Sequence, residues 1–145
     1  MNSDRSEKKN EVSLFRLYLL RGLYLFVVVG LAFVQWPEVI DKILHPAKSW
    51  DLMDGVVSCM LTSFSVLCLL GLRYPLQMIP VLLWEVVWKT LWLLIVALPL
   101  WTAGHMDDST MSTVISCLLV VIFPFIIPWR YVFVNYVKKQ GARWR

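Results

Sequence analysis

The chain has 145 residues, 59% of them hydrophobic and 17% charged, with a formal net charge of +4 and a mean hydropathy of +0.65. Soluble domains run nearer half apolar and a quarter charged, so these figures exclude an ordinary water-soluble domain, and they exclude a disordered chain as well. Three cysteines and six glycines are too few for a disulfide scaffold or a collagen-like fibre. A single all-α integral membrane domain covering 1–145 is the expectation.

In chain order, a basic tail over 1–16 carries Arg5, Lys8, Lys9 and Arg16. The first apolar span runs over about 17–36. It is longer than the apolar core of a signal peptide, about 7 to 15 residues, and Arg21 interrupts it, so it reads as a retained span. A connection over 37–53 then leads to a second span over about 54–72. Asp51 and Asp54 stand where a helix N-terminus favours acids, and are read as its caps. Ser58 and Ser65 share a face with Asp54. Gly55, Cys59 and Ser63 recur at i, i+4, i+8 and predict a close-packing ridge. Cys59, Cys68 and Cys117 read as small packing residues.

Residues 73–78 form a short turn into a third span over about 79–101, and a connection over 102–110 precedes a fourth over about 111–129. Pro124 and Pro128 lack the amides that would serve the carbonyls of Val120 and Pro124, which predicts a kink. A second basic tail occupies 130–145. None of the spans alternates with period two, as barrel strands would. Short connections make neighbouring helices antiparallel, so the expected fold is an antiparallel four-transmembrane-helix bundle.

Lysine and arginine near the span ends set orientation. The two tails and the second connection hold ten of them (Arg5, Lys8, Lys9, Arg16, Arg73, Arg130, Lys138, Lys139, Arg143, Arg145), against two, Lys42 and Lys48, in the first and third connections. Both termini are therefore expected in the cytoplasm. Trp36, Trp50 and Trp101 then fall at the outer interface and Trp129 and Trp144 at the inner one, the usual places for indoles. The expected partners are the phospholipid bilayer and, at the cytoplasmic face, anionic headgroups. No nucleic acid is expected, and self-association into a homo-oligomer is left open.

The third span carries the chemistry. At about 100° per residue, Trp88, Lys89 and Trp92 fall within about 60° of Glu85, and Trp84 flanks them near −100°. An ionised side chain at a helix centre costs about 2.5 to 3.5 kcal/mol on the insertion scale, so the pair is expected inside the bundle. Glu85 and Lys89 at i, i+4, acid first, is the favourable order for an intrahelical pair. Arg21 lies at a similar depth in the first span, which predicts a buried Arg21, Glu85, Lys89 cluster with Tyr18 and Tyr24 as candidate hydrogen-bond donors. Two cations and one anion would leave a positive charge to be completed by an acceptor or by neutral Lys89. Asp54 is a secondary candidate. No Cys-x-x-Cys, phosphate loop, nucleophile elbow or His-Glu-x-x-His occurs, so no cofactor and no metal is expected.

The run Arg73-Tyr74-Pro75-Leu76-Gln77-Met78-Ile79-Pro80, continuing through Leu82, Leu83, Trp84 and Glu85 to Trp88, Lys89 and Trp92, resembles the signature of small uncharacterised bacterial four-span membrane proteins. That resemblance implies a bacterial inner-membrane location and no activity. The chain is more distantly similar to the small multidrug transporters, but its glutamate lies in the third span and has a lysine beside it. Two functions are carried forward. One is an accessory or structural membrane protein that uses the polar cluster to set helix register; the other is a small transporter or ligand-binding protein using Glu85, Lys89, Trp84, Trp88 and Trp92.

Overall fold

The structure, a computed structural model, describes residues 12–45 and 51–139. Among these it is helical with no strand. Four helices are long and apolar enough to cross a membrane: α1 (Leu14–Leu44), α2 (Leu52–Arg73), α3 (Ile79–Thr102) and α4 (Asp108–Ile126). A last helix, α5, begins at Trp129–Val132 and widens into a π-helical stretch, Phe133–Lys138. The charges at Arg5, Lys8, Lys9, Lys48, Arg143 and Arg145 and the rings of Trp50 and Trp144 lie outside the described residues. Large apolar side chains such as Phe33 and Phe125 point outward, 79% and 83% exposed, the pattern of helices solvated by lipid. By their contacts the residues fall into two compact units. One spans Tyr18–Val81, with most of α1 together with α2; the other joins residues up to Leu17 with those from Leu82 onward, and holds most of α3 with α4 and α5.

In the first unit, Leu20, Leu23, Tyr24, Val27 and Gln35 form the buried stripe of α1, spaced as one face of a helix requires. Tyr24 lies flat against Gly71 of α2, where a Cβ would collide with its ring. Its hydroxyl donates to the Pro75 carbonyl at 3.1 Å, and the Trp36 indole donates to Ser65 Oγ at 3.1 Å. Later residues of α1 thus meet earlier residues of α2, an antiparallel hairpin.

Three expectations for this hairpin are corrected. The first helix does not stop at Trp36 but continues through Pro37 to Leu44. Beyond Pro37 the helix carries two i, i+4 contacts, Glu38–Lys42 at 2.8 Å and Asp41–His45 at 3.1 Å, which offset only part of what the proline costs. A 31-residue helix is also about 46 Å long against a core of about 30 Å, so these charges fall beyond the hydrocarbon. Asp51 is the N-cap residue of α2, but no side-chain bond caps the helix, so it and exposed Asp54 act only by charge on the helix dipole. Cys59 and Ser63 are exposed, and the small residues that pack are Ser58, Ser65, Cys68 and Gly71. The rings of Tyr24 and Trp36 need the face bearing Gly71 and Ser65, and that requirement selects it over the other ridge.

In the second unit, prolines dictate the backbone. Ahead of Pro99 the turn Leu93–Ala97 of α3 is π-helical, with the Leu98 amide bonded to the Leu93 carbonyl. Widening relieves the crowding a proline ring causes four residues upstream. This turn packs against the first part of α4. Gly104, at φ +70°, closes α3: Gly104 N bonds Trp101 O and His105 N bonds Leu100 O, a Schellman cap. Asp107 then caps α4, accepting from the Thr110 amide at 2.8 Å and the Ser109 hydroxyl at 2.9 Å. These bonds hold its carboxyl below the ordinary carboxylate range, the Thr110 bonds contributing most.

The expected kink in α4 is a tightening followed by a break. Val120, whose carbonyl Pro124 cannot serve, is served instead by the Phe123 amide within the 3-10 turn Leu119–Ile122. The carbonyl of Pro124, which Pro128 cannot serve, accepts from the Trp129 indole at 2.7 Å. Ile127, preceding Pro128, is extended at ψ 126°, and α4 ends there.

Candidate functional site

Glu85 is 2% exposed on the regular first half of α3. Both its oxygens are engaged from the same helix: Lys89 Nζ lies 2.7 Å from Oε1, and Trp88 Nε1 donates to Oε2 at 2.6 Å. Spacings of three and four residues place both donors on the turn above the carboxylate. Both contacts are charge-assisted, and such bonds are roughly twice as strong as neutral ones. The Lys89 ammonium also stands 5.6 Å from the centroid of the Trp88 ring, within cation–π range. Trp84 packs against Trp88 with the rings tilted, at 6.2 Å between centroids and 43° between planes. From α4, buried Cys117 lies within electrostatic reach of both charges. Trp92, half-buried, is the last residue before the π-helical turn.

The site on α3 is therefore an acid and a base paired on one helix and braced by an indole. Arg21 is exposed, as is Tyr18, and its guanidinium stands 6.0 Å from the Tyr18 ring centroid. Within its own unit the stripe Leu20, Leu23, Tyr24, Val27 turns inward and carries Arg21 to the outer flank. Tyr24 is fully buried, but its hydroxyl is committed to Pro75. Asp54 is exposed in the first turn of α2.

The structure thus brings Glu85, Lys89, Trp88 and Trp84 together. Sequence reasoning read Cys117 only as a packing residue, since its proximity to the pair needs the α3–α4 pairing, and passed over Gln35, whose signal was present. Gln35 falls about 20° from Tyr24 around α1 at 100° per residue, the polar member of an otherwise apolar stripe. Compared with protein-family models, curated proteins and solved structures, the chain matches none.

Proposed function

We propose that the protein is a small multi-pass protein of a bacterial inner membrane, an antiparallel four-helix bundle with both termini cytoplasmic, whose role is accessory or structural. The observation that carries this reading is the closure of the Glu85 pair, in which a nearly buried carboxylate has both oxygens satisfied by Lys89 and Trp88 of its own helix. A carboxylate held so locally needs no ligand to complete it. The cytoplasmic assignment rests on the lysine and arginine bias, to which the exposed Arg130, Lys138 and Lys139 of the α5 region contribute. These charges, beside exposed Trp129, Phe133 and Tyr136, suit anionic headgroups at that face.

One observation favours the alternative of a small transporter or ligand-binding protein. Trp84, packed beside the pair, is 41% exposed, which offers an aromatic surface to an amphipathic ligand. Glu85→Gln in pure liposomes separates the two. The structural reading expects lower thermal stability with proton permeability equal to the parent protein. A proton flux present in the parent and lost in Glu85→Gln, with stability unchanged, overturns it in favour of transport.

A further inference from the structure

The α1–α2 hairpin contains a polar feature that the Glu85 pair does not use. Gln35 is 6% exposed, and its side-chain nitrogen finds no hydrogen-bond acceptor among the described residues. An amide donor left dry in an apolar interior carries a cost of about 1 to 3 kcal/mol on mutational scales. A position on the buried stripe therefore calls for an oxygen.

The groups of α2 around this level are polar, and the hydroxyls of Thr62 and Ser65 donate within their own helix, leaving the Ser58 hydroxyl outside those bonds. Trp36, the next residue, donates to Ser65 Oγ; Ser65 donates to the Thr62 carbonyl at 2.8 Å; and Thr62 donates to the Ser58 carbonyl at 2.8 Å. Ser58 is 5% exposed and Ser65 2% exposed, so the hydroxyl column of α2 is itself turned inward. Asp54, one turn before Ser58 on the same face, is exposed and marks the end at which the column opens. Gln35 lies about 9 Å beyond the midpoint of α1 toward that same end. An acceptor can thus arrive along a polar face without crossing the apolar half built from Leu20, Leu23, Tyr24 and Val27.

We propose that Gln35 is a binding residue for an external oxygen acceptor, which enters the α1–α2 hairpin from the Asp54 end and is held between the Gln35 amide and the Ser58–Ser65 column. Two sources share this chemistry, a water molecule and the ester carbonyl of a lipid. Water suits a site with several polar partners, and the ester carbonyl lies at the depth where a span ends.

The test uses the full chain in nanodiscs with glutamine side-chain amides labelled with nitrogen-15. The sequence has three glutamines, so Gln77→Asn with Gln140→Asn leaves Gln35 as the one labelled amide. The expected result is a magnetisation-transfer peak between the Gln35 amide protons and bound water, or an amide-proton shift on exchanging ester-linked for ether-linked phosphatidylcholine. The first identifies water and the second the lipid carbonyl, and either supports the proposal. Absence of both overturns it. So does a higher unfolding midpoint for Gln35→Met, because deleting a donor that is dry relieves a cost, whereas deleting one that is bound does not.

Discussion

The two hairpins handle polar groups in opposite ways. Between α1 and α2 the polar contacts cross from one element to another: Tyr24 reaches Pro75 beyond α2, and Trp36 reaches Ser65. In α3 the charges are paired within one helix, Glu85 with Lys89, and they would be paired in that helix standing alone. A cross-helix bond dictates how two helices are rotated against each other, while an intrahelical pair lets a charged turn enter an apolar environment. The α1–α2 hairpin therefore carries register in uncharged groups, and α3 carries charge with little say over register.

The sharpest way to break this contrast is to unpair the α3 charges. Lys89→Met leaves a buried carboxylate with one donor and is expected to cost about 3 to 5 kcal/mol, whereas Glu85→Leu with Lys89→Met costs far less or stabilises. Unfolding titrations in mixed micelles measure both, and equal losses in the single and double variants would show that the pair reaches beyond its helix. The second test addresses register. Gly71→Ala drives a methyl into the Tyr24 ring, with an expected loss of about 1 to 3 kcal/mol that a Tyr24→Leu background relieves. Additive losses in that double-mutant cycle would refute the ring-on-glycine contact.

Two smaller effects concern the turn between α3 and α4. Gly104→Ala forces a Cβ into the left-handed region and is expected to cost about 1 to 2 kcal/mol by the same titration. Asp107→Ala, removing the α4 cap, has the smallest effect, and it depends on pH. The folded carboxyl titrates below the unfolded one, so its stabilisation is present above the unfolded pKa of about 3.9 and disappears as pH falls through the lower folded value. The parent and Asp107→Ala unfolding midpoints should therefore differ at pH 6 and converge in strong acid. A difference that persists there would show that Asp107 acts otherwise than as an ionised cap.

Much of the architecture was legible. Four apolar runs of span length gave four helices, and the acid-first spacing of Glu85 and Lys89 gave their ion pair. Pro124 and Pro128 were legible as a disturbance, but not its repair by a 3-10 turn and the Trp129 indole. The end of the first span was not legible, since the apolar run stops at Trp36 while the helix runs on to Leu44 with its polar residues paired at i, i+4. The exposure of Arg21 was not legible either, because depth along a helix says nothing of rotation about its axis.

That distinction divides the molecule's determinants. Crossing length, helical spacing and intrahelical pairing are local quantities, sums over consecutive residues or distances of three and four along one helix, and the chain specifies them without reference to any neighbour. Which face turns inward is a property of pairs of helices. Tyr24 fits the bare backbone at Gly71 and Trp36 finds the hydroxyl of Ser65, and that fit rotates α1 so that Arg21 goes out and Gln35 goes in.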